Sequence, residues 1–530
     1  MLYRFAQFCR PDTNEYPSRV CEVAEPRLEC RDTFQRLVAL VISTDDMAAE
    51  IQLHNTMGGK KEAFTPLKPD AVRIYTCGPT VYDFAHIGNF RTFMFQDLLR
   101  RFLRIRGYKV FQVMNLTDVD DRIIAHASAA GKNIRDFTDQ YIKAFMEDCR
   151  TLGMEPAEKL VRATDHIEDM VALIEKLQAK TFTYPIEGSI YYRIAKFPAY
   201  GKLSKIDVSG MQSGVRVDVD QYEKDDARDF ALWKAPKPGE FSWDTRIGKG
   251  RPGWHLECSA MSMKYLGETL DIHTGGVDLT FPHHENEIAQ SEAATGKKFV
   301  RYWLHAEHLL VDGQKMSKSL GNFYTLRDLF KQGHKPSSVR LLLASVPYRR
   351  QLNFTMEGLQ QAASSVDRLR QFMLRLNEVK TNAKKPDEKP SEKITARVRK
   401  AEEDFDAGMA DDLNTAQALA AVFELVRDMN IAMESGKLSA ADAEVVRNAM
   451  LGFDEIFAVL KDDDAERLRA LGFASEATGP GDEEINALVA KRVAAKKNRD
   501  FAESDRIRDE LAAHGIILED TRDGVRWKRK

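Results

Sequence analysis

Cys77, Cys258, His283 and Glu287 offer two thiols, an imidazole and a carboxylate, all groups that bind zinc. In Phe281-Pro282-His283-His284-Glu285-Asn286-Glu287, His283 and Glu287 stand four residues apart, which on a helix puts both on one face, and a proline suits the helix start. Nothing in the spacing brings Cys77 or Cys258 to that face, and a single buried cysteine is usually a small hydrophobe. A second pair of segments suits phosphate chemistry. His86-Ile87-Gly88-Asn89 falls at a loop-to-helix junction, where free N–H groups and the helix dipole attract an anion and a glycine lets a nucleotide approach. Lys315-Met316-Ser317-Lys318-Ser319 forms a loop whose cations could swing onto phosphates as charge builds during displacement. Each segment alone is weak evidence. Both in this order, with Gly275-Gly276-Val277-Asp278 between them, point to nucleotidyl transfer.

These groups need a frame. Val72-Arg73-Ile74-Tyr75 reads as a buried strand ending in the loop Thr76-Cys77-Gly78-Pro79. The spacing of Phe90, Phe93, Met94, Leu98 and Leu99 predicts a helix after His86, and Val110-Phe111-Gln112-Val113-Met114 predicts a second strand. A strand-helix-strand unit makes parallel strands with ligands at their carboxyl ends, the edge where Cys77, His86 and Thr117 fall. Leu270-Asp271-Ile272-His273 reads as another strand, with residues 274–278 as the loop beyond it. Residues 160–250 have the look of an insertion, with glycine and proline punctuating short strands such as Ser189-Ile190-Tyr191-Tyr192-Arg193. Beyond Asn353 the pattern is helical, and Thr415 is expected to cap a helix carrying Ala418, Val422, Phe423, Leu425 and Val426. Residues 380–393, rich in lysine and glutamate, and residues 475–482, with Gly479-Pro480-Gly481, read as linkers.

A chain of 530 residues is long enough for several domains. With 78 Lys plus Arg against 81 Asp plus Glu, it is not a uniformly basic nucleic-acid coat, so any basic surface is local. At 43% hydrophobic residues it is too apolar for a wholly disordered chain. Six cysteines without a CxxC pair indicate a reducing compartment, and neither a membrane-length apolar run nor a secretory h-region is evident, so a cytoplasmic location is expected. The first 50 residues hold three of the six cysteines and no motif, and are expected to form a weakly ordered extension.

The segments at residues 86–89 and 315–319 resemble the HIGH and KMSKS motifs of class I aminoacyl-tRNA synthetases. Four further strings narrow the likeness: Thr76-Cys77-Gly78-Pro79-Thr80-Val81-Tyr82-Asp83, Asn115-Leu116-Thr117-Asp118-Val119-Asp120-Asp121, Gly253-Trp254-His255-Leu256-Glu257-Cys258-Ser259-Ala260 and residues 281–287. Together they resemble the cysteinyl-tRNA synthetases, over about residues 51–530. The resemblance implies an α/β fold: a Rossmann-like parallel-sheet catalytic domain with an inserted connective domain, followed by a helical bundle and a small C-terminal α+β domain. The implied limits are an extension over 1–50, the first catalytic half over 51–158, the connective region over 159–252 and the second half with the KMSKS loop over 253–352. A bundle over 353–474, a linker over 475–483 and an anticodon-binding domain over 484–530 complete them.

The same resemblance implies one zinc ion per chain on Cys77, Cys258, His283 and Glu287, joined by the thiolate of substrate cysteine. Zinc prefers that soft thiolate to the hydroxyl of serine, a discrimination that a cavity differing by one atom could not supply. Cys77, Thr117 and Trp254 would line the amino-acid site, with His255, His273 and His284 close to it in sequence. His86, Lys315 and Lys318 would be catalytic, and His86, Asn89, Gly276, Asp278 and Lys318 would hold ATP with its Mg2+. Asn89 departs from the motif, which has histidine there; its amide donates a hydrogen bond but carries no proton charge. The implied reaction forms a cysteinyl-adenylate from L-cysteine and ATP and passes the acyl group to tRNA(Cys). Lys491, Arg492, Lys496, Lys497 and Arg499, then Arg526-Trp527-Lys528-Arg529-Lys530, supply local positive charge that fits tRNA. A monomer without a membrane partner is expected. Two other readings compete: a ligase joining cysteine to an aminosugar, which lacks the anticodon-binding portion, and a catalytically silent tRNA-binding paralogue. The long tail after Asn353 argues against the first, and the intact lysines and zinc-binding residue types argue against the second.

Overall fold

A computed structural model describes residues 49–206, 228–237, 239–381, 389–473, 482–521 and 524–529. The expected extension lies outside them except for residues 49 and 50, and Gly479-Pro480-Gly481 lies wholly outside.

Apolar runs form five strands: β1 (Ala71–Thr76), β2 (Lys109–Leu116), β3 (Lys159–Arg162), β4 (Leu270–Gly276) and β5 (Val300–Ala306). Their order is β5-β4-β1-β2-β3 and every pairing is parallel. Strand order reverses at β1, and such a sheet opens a crevice outside the carboxyl ends of the strands at that point. The crossover from β1 to β2 is helix α1 (Ile87–Ile105), whose Phe90, Phe93, Met94, Leu98 and Leu99 are buried as predicted. Alternation along β1 sends Val72 and Ile74 into a core shared with α1 and the C-terminal helices. Tyr75 and Cys77 enter a second core, under α2 (Trp254–Leu266) and α3 (Glu285–Thr295).

Four details differ from expectation. β4 runs on through Thr274, Gly275 and Gly276, the last two in register with His305 and Ala306. A Cβ on Gly275 would lie 2.8 Å from His284 Cε1, and one on Gly276 would lie 2.4 Å from Asp278 Oδ1, so these glycines serve close approach inside a strand and not a turn. β3 falls in the stretch expected to be inserted yet pairs with β2; a separate antiparallel sheet follows it, built from Thr183–Ile186, Ser189–Tyr192, Phe230–Lys234, Gly248–Pro252 and Trp243–Thr245. Pro282 follows a cis peptide bond inside the irregular turn Thr280–His284 and does not open the α-helix. Asn414, not Thr415, caps the helix Thr415–Glu434, its Oδ1 accepting from Gln417 N at 3.3 Å, because only the residue outside the helical turn can hold the capping geometry.

Arg340, on α4 (Pro336–Ala344), joins α1 to the helices beyond it. Its buried guanidinium donates to Asp97 Oδ2 of α1 at 2.7 Å and to the carbonyls of Phe457, Ile456 and Leu152. At the far end, helices Asp482–Lys497 and Phe501–Ala513 and the hairpin of Ile516–Thr521 with Gly524–Arg529 enclose a small core of Ile485, Val489, Ile507, Leu511 and Ile516. Among the described residues no helix is long and apolar enough to cross a membrane.

Candidate metal centre and nucleotide-binding edge

Cys77 follows the carboxyl end of β1, Cys258 lies in the second turn of α2, and His283 and Glu287 flank the start of α3. Their four ligand atoms all lie within 4.8 Å of one another, and all four residues are buried. Glu287 Oε1 is 3.0 Å from His283 Nε2 but forms no hydrogen bond. With both thiols in the same small buried space, the four ligand atoms are gathered as closely as the ligands of one ion. The other carboxylate oxygen is held by His273 Nε2 at 3.0 Å, and His283 Nδ1 lies 2.9 Å from His255 Nδ1, contacts that orient the ligands from behind. Cys77, His273, His284 and Glu287 form a second cluster, with Cys77 Sγ 3.4 Å from His284 Nε2. In it His284 Nδ1 is likewise backed, by His305 Nε2 at 2.7 Å, and His305 by Thr56 Oγ1 at 2.7 Å, while His273 Nε2 and Glu287 Oε2 are spent on each other.

Burial pushes the Cys258 thiol far up, and its contact with Cys77 adds to this. At Cys77 the hydrogen bond from Cys258 favours thiolate, but burial and the carboxylates of Glu287 and Asp278 leave it raised. Burial opposes a charged His283, yet Cys258 and Glu287 beside it lift it to about 10. Burial likewise opposes the Glu287 carboxylate, which His273 and His283 nevertheless hold below its usual range. Taken alone, the cluster keeps protons on sulfur and imidazole; a divalent cation at its centre would reverse each of these preferences.

The nucleotide edge begins at His86, the N-cap of α1. His86 Nδ1 accepts from Asn89 N at 3.2 Å, and Asn89 Oδ1 accepts from His86 N at 3.1 Å, a reciprocal capping box. Burial lowers the His86 pKa, so the ring is neutral at pH 7, and with Nδ1 accepting, the proton sits on Nε2. The second motif folds against the first: a Cβ on Gly88 would lie 3.0 Å from Met316 Cε, and the His86 ring packs edge-on against Phe323 at 5.2 Å. Lys318 Nζ lies 5.1 Å from the centre of the Phe323 ring and 2.5 Å from Asp83 Oδ2. Lys315 is exposed on the short strand Gln314–Lys315. Trp254 opens α2 with its ring 4.5 Å from that of His283, and Thr117 is buried beyond β2, its Oγ1 accepting from Asn115 Nδ2 at 3.1 Å. Asp278 follows β4 and lies near enough to act electrostatically on His86 and Cys77. Sequence reasoning assigned nothing to Tyr75, Asp83, His305 or Phe323; the one available signal was that Tyr75 and Asp83 fall within or beside a motif string.

A parallel sheet that reverses at β1, with one motif capping the crossover helix and the other folded onto it, defines the catalytic domain of a class I tRNA synthetase. The family model for the tRNA synthetases class I (C) catalytic domain matches residues 63–364, a DALR domain matches 404–461, and a cysteinyl-tRNA ligase anticodon binding domain matches 479–527. Cysteine–tRNA ligases of Koribacter versatilis (strain Ellin345) and Solibacter usitatus (strain Ellin6076) are each 56% identical to this chain, over 498 and 480 residues, covering 91% of it and 100% of themselves. The crystal structure of Mycobacterium tuberculosis methionyl-tRNA synthetase bound by methionyl-adenylate shares the fold with a TM-score of 0.56 at 15% identity, over 77% of this chain and 95% of that one. The chain belongs to the cysteine–tRNA ligase family.

Proposed function

We propose that this enzyme joins L-cysteine to tRNA(Cys) through a cysteinyl-adenylate, with Cys77, Cys258, His283 and Glu287 holding one zinc ion. When bound, zinc supplies a soft Lewis acid that takes the substrate thiolate in preference to a serine hydroxyl. Trp254, against His283, and Thr117, beyond β2, would close the amino-acid pocket. The neutral His86 would donate from Nε2 to a phosphate of ATP at the positive end of the α1 dipole, where the N–H groups of Ile87 and Asn89 are already given to Tyr324 O and His86 Nδ1. Lys318, released from Asp83, and Lys315 would neutralise charge on the phosphates as pyrophosphate leaves, with Mg2+ accompanying ATP. Asn89 would act on ATP through His86, while Gly276 and Asp278, at the end of β4, would meet the adenosine. Residues 353–474 and 484–530 would carry the tRNA, the catalytic halves 51–158 and 253–352 the chemistry, and residues 159–252 the connection between them.

The observation that carries this reading is the buried gathering of two thiols, an imidazole and a carboxylate whose ligand atoms all lie within 4.8 Å of one another. The test is metal analysis together with ATP–pyrophosphate exchange driven by cysteine, with serine as control, then charging of a tRNA transcript. Stoichiometric zinc, exchange with cysteine alone and subsequent charging are expected. Fully active metal-free protein would overturn the zinc assignment, and absence of exchange would leave the silent paralogue.

A further inference from the structure

We infer that Tyr75 is a positioning residue of the metal centre, its hydroxyl donating a hydrogen bond to the sulfur of Cys258; this rests on the metal reading above. Strand alternation puts Tyr75 and Cys77 on the same side of the sheet, the side covered by α2 with its Cys258. Tyr75 is fully buried, and its hydroxyl has no aligned hydrogen-bond partner among the described residues, while Cys258 is buried in the same core and near enough to act on it electrostatically. Stranding a phenolic O–H in a core is costly, and phenylalanine would fill the same space without that cost. A partner is therefore called for, and the thiolate form of Cys258, with lone pairs to spare while it ligates a metal, is the better acceptor.

The ring is held firmly enough to aim the hydroxyl. Tyr75 stands in register with His273 across β4, and the two rings meet edge to face at 5.1 Å. His273 in turn holds Glu287 Oε2 at 3.0 Å. Two paired residues on adjacent strands thus support two different ligands from beneath: an imidazole behind the carboxylate and a phenol behind a thiolate. A hydrogen bond to the Cys258 sulfur draws electron density away from it. The metal is left a stronger acceptor for the incoming substrate thiolate, so Tyr75 would act on cysteine affinity while touching neither cysteine nor metal.

The experiment replaces zinc by Co2+ in the full-length wild-type protein and in Tyr75→Phe, which keeps the ring and hence the packing. The sulfur-to-cobalt charge-transfer band should move to lower energy in the variant while the d–d bands stay put. Cysteine binding should weaken by about three- to tenfold, the span of one lost hydrogen bond, with ATP binding unchanged. An unmoved charge-transfer band overturns the inference, and so does an altered d–d pattern, because Tyr75 would then prop the site by packing alone. If wild-type protein shows no thiolate charge transfer at all, the metal reading itself fails; if wild type shows it and the variant matches, only the role of Tyr75 falls.

Discussion

Asn89→Ala isolates the work done by the residue that departs from its motif. The Asn89 carboxamide oxygen is committed to His86 N at 3.1 Å, while the reverse bond, from Asn89 N to His86 Nδ1 at 3.2 Å, uses only backbone at position 89. Alanine therefore removes the first bond and leaves the second. A neutral, half-buried hydrogen bond of this kind is worth about 1 kcal/mol net. What it protects is the placement of His86, held as the tautomer that carries its proton on Nε2. If that placement loosens by the same amount, kcat/KM for ATP in pyrophosphate exchange falls about fivefold. His86→Ala removes the donor itself and should cost on the order of a hundredfold or more. Asn89→Gln, which keeps an acceptor of the kind capping boxes use at this position, should stay within about twofold of wild type. A loss in Asn89→Ala as large as in His86→Ala would mean that Asn89 touches the nucleotide directly, and an unchanged rate would mean that the capping bond does not position His86; either result refutes the reasoning.

Cys258→Ser should lower bound zinc by about tenfold or more and abolish the preference for cysteine while leaving ATP affinity intact, as read by metal analysis and nucleotide titration; retained cysteine activation would remove the metal from the argument. Zinc uptake by the stripped protein should weaken as pH falls, because His283, lifted to about 10, and the two raised thiols are all protonated near neutrality and must lose protons to bind. Competition with a chromophoric chelator between about pH 6 and about pH 8 measures this, and a flat profile would contradict it. Asp83→Asn frees Lys318 from an exposed ion pair worth less than about 1 kcal/mol, so the KM for ATP should fall by no more than about fivefold; a large loss of activity would show that Asp83 does more than restrain the lysine. Arg340→Met leaves buried Asp97 with Arg101 as its remaining cation and takes the donor from the carbonyls of Phe457, Ile456 and Leu152, and should cost on the order of 3 kcal/mol in urea unfolding. Burial opposes the Asp97 charge, but Arg340 and Arg101 hold its pKa down, so the pair stabilises the fold at neutral pH and loses that contribution only as pH falls below the ordinary carboxylate range.

What could be read from the sequence was chemistry that resides in residue type and in single-element periodicity. Phe90, Phe93, Met94, Leu98 and Leu99 announce α1 because one helix's spacing suffices to bury them, and His283 with Glu287 announce a chelating pair because four residues fit one turn. What stayed hidden depends on which residue lies opposite on another element. Gly275 and Gly276 read as a turn because glycine usually makes one, yet they lie within β4 where His284 and Asp278 crowd the backbone. Tyr75 and His273 lie almost 200 positions apart and become neighbours only through the parallel register of β1 and β4. The same register carries His273 to its place behind Glu287. The four candidate ligands, two thiols among them, could be recognised one at a time, but the groups that back them, His273 behind Glu287 and His255 behind His283, arrive from other segments. A sequence that kept all four ligands but shifted β4 by one residue against β1 would turn His273 to the other face of the sheet and take the support from Glu287. The proposed metal centre is therefore as much a property of strand pairing as of the four residues that would hold the ion.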